Sequence, residues 1–202
     1  MALDRRRFLK RTLAGAGIVL GAGGLPLALR ATRLRPLPPG AALRCFTPAE
    51  YSIVADVADR MLAGLPADQP TPEQVGVALK ADALMALSDP DTQKDFKQLL
   101  GLFDNALAGF LFDGRTAPFS ALDAAAQDRA LRAWRDSRLP LRRSGFQGLR
   151  RLCLAMYYSD PRSYPSLGYP GPPLLVRADG SAVGGTAEDR AAYRASLRET
   201  PQ

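Results

Sequence analysis

Three carboxylates on one predicted helix, Glu50, Asp56 and Asp59, are the first residues in this sequence that could carry chemistry. Two carboxylates held close together could serve as a general acid and a general base. At this spacing on an amphipathic helix, acidic side chains more often form a solvated face. We favour the solvated face and keep an Asp56–Asp59 pair as the alternative.

Two arginine pairs, Arg142–Arg143 and Arg150–Arg151, could bind a phosphate or a partner rich in carboxylates. Residues 1–35 hold eight of the 27 basic residues and one of the 20 acidic residues, so they carry +7 and the rest of the chain has no net charge. A neutral body argues against nucleic acid as a partner. It favours ordinary surface ion pairing for the four arginines.

Four of the six tyrosines lie within thirteen residues, at the start of a stretch rich in Pro and Gly. Tyrosine is enriched at the energetic centres of protein interfaces, and a loop of this kind either grips a partner or packs on its own surface. Both interpretations stay open. The predicted partner-binding residues are Tyr157, Tyr158, Tyr164, Tyr169 and Pro170.

The sequence has no histidine and two cysteines, Cys45 and Cys153. Histidine-dependent catalytic triads, the usual zinc sites and histidine-ligated haem are therefore excluded, and two isolated cysteines cannot hold an iron–sulfur cluster. No glycine-rich loop follows a strand, so there is no nucleotide-binding fingerprint. We predict no catalytic residue, cofactor or metal in this chain, and expect Cys153 to be a buried thiol or to pair with Cys45.

The amino terminus resembles a twin-arginine export signal. The residues that match its consensus are Arg5, Arg6, Phe8, Leu9 and Lys10. Residues 12–29 follow as an uncharged, mildly hydrophobic stretch, and a basic and then Pro-rich segment comes next. We predict export of the folded protein to the periplasm by the twin-arginine translocase. Membrane association through an uncleaved signal stays open, because the one suitable small-residue cleavage site lies far downstream, at residues 40–42.

The remaining 160 or so residues predict an all-α fold, a compact bundle of about five helices with a Pro/Gly/Tyr-rich C-terminal loop and a polar tail. The predicted helices cover residues 47–63, 71–87, 91–113, 120–137 and 141–158, with a short one at 187–198 in the tail. The third has a long apolar stripe: Phe96, Leu99, Leu100, Phe103, Leu107, Phe110 and Leu111. We divide the chain into the signal and Pro-rich linker (1–42), the helical domain (43–175) and the tail (176–202).

Several short motifs resemble subunit 3, the small subunit, of membrane-bound gluconate 2-dehydrogenase and its relatives. They are FTPAE at 46–50, VADVADRML at 54–62, LPLRR at 139–143, YYSDP at 157–161 and LGYPGP at 167–172. The resemblance spans residues 46–173. One departure is that residues 63–65 separate the first helix from Pro66, whereas the family has a proline close behind this helix, which predicts a different turn here.

The resemblance implies a non-catalytic accessory subunit. In such complexes a large flavoprotein of the glucose–methanol–choline (GMC) type oxidises a sugar or alcohol with FAD, and a c-type cytochrome subunit with haem c takes the electrons. The small subunit carries the export signal and assists maturation of the flavoprotein, as a chaperone does. Two alternatives remain: a membrane-tethered periplasmic scaffold unrelated to redox chemistry, and a stand-alone periplasmic enzyme that uses Asp56 and Asp59.

Overall fold

A computed structural model of the chain describes residues 31–169, 175–176, 182–183, 186–188 and 191. Seven α-helices make up most of these residues, which confirms the all-α fold class. In the described part of the tail, the short strands β1 (Leu175–Val176) and β2 (Ala182–Val183) pair antiparallel. Ala187, Glu188 and Ala191 are helical, and the rest of the helix predicted at 187–198 lies outside the described residues.

The helices are numbered in chain order. They are α1 (Pro48–Met61), α2 (Pro72–Val75), α3 (Val77–Ala86), α4 (Pro90–Asp104), α5 (Ala106–Asp113), α6 (Ala124–Arg135) and α7 (Pro140–Tyr158). Three short 3-10 turns lie at Phe119–Ala121, Pro161–Ser163 and Pro165–Leu167.

Capping boxes start α1 and α2, as predicted. At α1 the backbone N–H of Glu50 donates to the Thr47 hydroxyl at 3.2 Å, and the Thr47 N–H donates to the Glu50 carboxylate at 2.7 Å. Thr71 and Gln74 repeat the arrangement at α2. Each box satisfies two N–H groups that a helix start leaves without partners.

Two predicted helices are each split in two. Gly76 has φ +73°, a left-handed conformation that glycine adopts at little cost, and it separates α2 from α3. Asn105 separates α4 from α5 and accepts a hydrogen bond from the N–H of Ala108 at 3.0 Å. The expectation of two continuous helices was therefore wrong: each predicted helix contains a residue that ends one segment and caps the next.

The break at Asn105 changes which apolar side chains are buried. Leu100 and Phe103, on α4, are fully buried, whereas Phe110 and Leu111, on α5, are 45% and 58% exposed. A continuous helix would have kept all four on one stripe. The prediction that the stripe continues to Leu111 was wrong because the non-helical backbone of Asn105, with ψ 124°, interrupts the helical periodicity.

The core lies where α1 packs against α3 and α7, with α6 packed on α7. Phe103 is at its aromatic centre, with ring centroids 4.5 Å from Phe119 and 4.8 Å from Trp134. The contact with Trp134 is edge to face, a geometry that aromatic rings favour. Leu131, Trp134 and Leu149, all expected in the core, are buried.

Residues 31–46, which we call the amino-terminal strap, pack on this bundle before α1 begins. The Thr32 hydroxyl donates to the Asp104 carboxylate at 2.7 Å, and the backbone N–H of Arg33 donates to the Ser120 hydroxyl at 3.0 Å. Leu37 and Leu43 pack against the core. The packed region thus begins well before residue 43, where we placed the start of the helical domain.

Candidate partner-binding surface

Tyr157 is a core residue rather than a surface contact. Its side chain is fully buried, and its hydroxyl donates to the carbonyl of Pro70 at 2.8 Å. Tyr158 lies edge to face against it, with ring centroids 5.1 Å apart. In this conformation Tyr157 connects α7 to the loop before α2 and is not available to a partner.

Tyr164 and Tyr169 form a second aromatic pair, with ring centroids 5.1 Å apart and planes at 71°. The backbone N–H of Tyr169 donates to the carbonyl of Tyr164 at 3.2 Å, which closes the turn between them. Tyr164 is half-buried and Tyr169 is 42% exposed. The partner-binding prediction stays a prediction for these two and for the half-buried Tyr158, while Pro170 lies outside the described residues.

Asp160 fixes this loop to the bundle. It pairs with Arg162, whose Nε lies 2.8 Å from its Oδ1, and with Lys80, whose Nζ lies 3.1 Å from its Oδ2. The hydrogen bond from the Arg162 side chain is the main reason that the pKa of Asp160 lies well below its usual range. Arg162 also donates to the carbonyl of Gln74 at 3.0 Å, so the loop is held against α2 and α3.

One guanidinium, from Arg35 of the strap, brings together two of the carboxylates that we considered for acid–base chemistry. Its Nη1 lies 3.3 Å from Asp56 Oδ1 and 2.6 Å from Asp59 Oδ2. Burial raises the pKa of the Asp56 carboxyl to about 6, although Arg35 opposes the shift. Asp56 is buried, so the expectation of a solvated face was wrong for this residue. Glu50, the third carboxylate, serves the capping box of α1.

A cleft of about 250 Å³ lies beside this cluster, lined by Arg35, Asp59 and Glu73 among others. Asp56 does not line this cleft and is only 5% exposed. An acid–base pair needs both groups within reach of a substrate. This arrangement fits an ion pair that attaches the strap to α1 better than a catalytic dyad.

The arginine pairs differ from the surface ion pairing that we expected. Arg142 is buried and pairs with Asp113, and its guanidinium lies 5.4 Å from the ring centre of Phe112 and 5.3 Å from that of Trp134. Arg143 donates to the carbonyl of Ser137 at 2.7 Å. Arg150 and Arg151 are exposed and form no ion pair with the described part of the chain.

An exposed apolar surface, which the sequence analysis missed, lies above the Arg142–Asp113 pair. Four side chains from α4, α5 and the start of α7 line one cavity of about 150 Å³ and define what we call the apolar face: Leu102, Phe112, Leu139 and Leu141. Phe110 and Leu111 adjoin it on the exposed side of α5. Exposed apolar side chains that share the lining of one cavity mark a candidate interaction site.

Both cysteines are free thiols. Cys153 is fully buried, and burial raises its pKa to about 12, so it is protonated and unreactive at neutral pH. Within the described ranges there is no cluster of three side chains suited to binding a metal ion. No helix in the same ranges combines the length and apolar character needed to cross a membrane.

The predicted export-signal residues Arg5, Arg6, Phe8, Leu9 and Lys10 lie outside the described residues. The family model described as gluconate 2-dehydrogenase subunit 3 matches residues 48–171, from the first residue of α1 through the loop with Tyr164 and Tyr169. No curated protein and no solved structure matches the chain.

Proposed function

Because the chain belongs to the gluconate 2-dehydrogenase subunit 3 family, we propose that it is the non-catalytic small subunit of a periplasmic, FAD-dependent sugar or alcohol dehydrogenase complex. The family is one of accessory subunits in dehydrogenase complexes, and the match covers the whole helical bundle. This match is the observation that carries the proposal. The proposed partners are a GMC-type flavoprotein that holds FAD and a c-type cytochrome subunit that takes the electrons.

Acidic side chains with little exposure hold segments of the fold together, and this supports an accessory role. Asp82 accepts three backbone hydrogen bonds, Asp104 accepts from Thr32 and from the backbone of Ser120, and Asp113 pairs with Arg142. Each of these groups joins two segments of the fold. These carboxylates therefore have structural roles, which fits a protein that binds and accompanies another.

We further propose that this subunit assists maturation of the flavoprotein and takes it through the twin-arginine route. The motif at Arg5 and Arg6 supports export of a folded protein, and a flavoprotein that must leave with FAD inserted needs such a route. Lysine keeps the charge of arginine but lacks the planar fork of donors, so replacing Arg5, Arg6 and Arg7 together with Lys should abolish recognition of the signal.

The test is fractionation of cells that produce both subunits. With the triple Lys variant, both proteins should stay in the cytoplasm. Arg11→Lys, a change in the same predicted signal but outside the motif, should leave export intact. Export of the flavoprotein while the variant stays inside would contradict shared transport.

A separate test addresses the non-catalytic role. The chain purified without partners should show no flavin absorption and no sugar dehydrogenase activity, and it should retain the flavoprotein when the two are produced together. Flavin bound to the chain alone would overturn the assignment, as would failure to retain the flavoprotein.

A further inference from the structure

We propose that the apolar face is the main docking site for the flavoprotein subunit, and that it receives an apolar side chain from a segment of that subunit that also carries carboxylates. The inference rests on the proposed function and adds where the partner binds and what chemistry its contact segment has. It places this contact at the amino-terminal end of α7, whereas the tyrosine loop follows the carboxyl-terminal end.

The apolar face is a concave surface rather than a scatter of exposed side chains. Leu141 is 63% exposed, Phe112 54%, Leu139 45% and Leu102 36%, and all four line the same 150 Å³ cavity. Cavities of about this volume with apolar walls bind a benzene-sized group. The face therefore has room for one large side chain, in the way that interface hot spots fill a pocket.

The side chains at the base of this cavity are held in place before any partner binds. The buried Arg142 guanidinium pairs with Asp113 and lies over the rings of Phe112 and Trp134, 5.4 and 5.3 Å from their centres. Arg115 donates to the carbonyls of Asp104 at 3.2 Å and Ala117 at 3.0 Å, which holds the turn after α5. A surface that is already ordered loses little entropy on binding, so its apolar area contributes more fully to affinity.

The segment that contributes Trp134, Leu139 and Leu141 to the cavity is strongly basic. Residues 129–151 contain eight arginines and one carboxylate, Asp136, although the chain after residue 35 is neutral as a whole. Arg138 and Arg143 flank Leu139 and Leu141 in sequence, and Arg129 lines a groove that shares Phe112. Within the described part of the chain, Arg129, Arg138 and Arg143 are exposed and form no ion pair. Charge complementarity thus specifies a partner segment with carboxylates around its apolar residue.

A protein partner fits this geometry better than an anionic membrane. Lipid binding favours apolar side chains that protrude from the surface, whereas four apolar residues here surround a hollow. A hollow with an ion-paired floor suits one inserted side chain of defined shape. Vesicle flotation would detect binding to a membrane instead.

The experiment uses the full chain, produced with the flavoprotein and recovered through a tag on the small subunit. We expect Leu139→Gln with Leu141→Gln to reduce the flavoprotein recovered at least tenfold, because a polar group replaces the walls of the pocket. We expect Arg138→Glu with Arg143→Glu to reduce it as strongly, with a smaller effect at high salt. The matched control is Leu87→Gln, since Leu87 is 85% exposed at the end of α3 and outside the apolar face.

Recovery within twofold of the wild type in both double variants, with unchanged circular dichroism, would overturn the inference while leaving the proposed function intact. If the leucine variant does not fold, the recovery of the flavoprotein by the charge-reversal variant tests the inference on its own. Failure of the wild-type chain to recover the flavoprotein would overturn the proposed function itself. In the alternative outcome, the purified wild-type chain floats with phosphatidylglycerol vesicles while the leucine variant does not. That result would overturn the inference and show that the apolar face binds a membrane.

Discussion

The Asp82 carboxylate accepts a hydrogen bond from the backbone N–H of Phe46 at 2.6 Å, although 36 positions separate the two residues. The N–H groups of Arg44 and Cys45 donate to the same carboxylate at 2.8 and 2.9 Å. Asp82 is only 2% exposed. A single side chain on α3 therefore satisfies three consecutive backbone donors where the amino-terminal strap enters α1.

Replacing Asp82 with Ala should lower the free energy of unfolding by about 3 kcal/mol, because three backbone donors lose their charged acceptor and remain close to the core. Asp82→Asn keeps one acceptor oxygen and should cost less. Urea denaturation measures the free energy of unfolding of both variants. The control is Asp68→Ala, at an exposed loop position. A loss below about 1 kcal/mol in Asp82→Ala would show that water replaces the carboxylate.

The stability of the protein should depend on pH through Asp56. Burial raises the pKa of its carboxyl from 3.8 to about 6. The folded chain therefore holds a proton that the unfolded chain releases, so this group makes the free energy of unfolding fall as pH rises from about 4 to about 6. Asp56→Asn should remove this part of the dependence, on the order of 2 kcal/mol.

Urea denaturation of both proteins at several pH values between 4 and 7 checks this expectation. Other carboxylates contribute equally to the two curves, so the difference between variant and wild type isolates Asp56. Parallel curves would mean that Arg35 keeps Asp56 ionised in the folded state, contrary to the prediction.

Two glycines of α7 should respond in opposite ways to alanine. A Cβ at Gly145 would lie 2.6 Å from Leu99 Cδ1 and 2.8 Å from Trp134 Cζ3, whereas a Cβ at Gly148 would have nothing within 4 Å. Gly145→Ala should destabilise the fold by about 1–3 kcal/mol through overpacking. Gly148→Ala should stabilise it by up to about 1 kcal/mol, the helix-propensity difference. Thermal unfolding tests both, and equal melting temperatures would contradict the packing argument.

Truncating Tyr164 and Tyr169 to Ala should weaken recovery of the flavoprotein and leave the helical content and melting temperature of the isolated chain nearly unchanged. The reason is that a Pro-rich loop is already restricted and its tyrosines offer large amphipathic contact areas. Tyr157→Phe is the contrasting variant, since loss of its hydrogen bond to Pro70 should cost about 1 kcal/mol of stability and spare binding. If the double Ala variant unfolds the isolated chain while binding survives in the folded fraction, the loop serves structure alone.

Local signals explain which elements could be predicted from the sequence. Thr47 and Glu50, three positions apart and followed by apolar residues at helical spacing, fix where α1 starts, and the same chemistry recurs at Thr71 and Gln74. The buried positions Leu149 and Cys153 follow from helical periodicity within α7. These features depend on neighbours only a few residues away, so they can be recognised without knowledge of the fold.

The features that escaped prediction depend on distant contacts. Nothing near Arg35, in the basic segment behind the predicted export signal, reveals that its guanidinium meets Asp56 and Asp59. Asn105 was compatible with a helix interior until the packing of α4 and α5 showed that it caps the second of them. One signal for the apolar face was present, because three consecutive apolar residues, 110–112, cannot all lie on one buried face of a helix.

The strap also uses up chain length that would otherwise extend in front of α1. An extended chain spans about 3.3 Å per residue, so the sixteen residues held against the bundle remove about 50 Å of reach. If the proposed export signal is captured by a receptor, the bundle is held closer to that receptor, and its effective concentration there rises. The same shorter distance applies to any subunit bound at the apolar face, which would cross the membrane together with this chain.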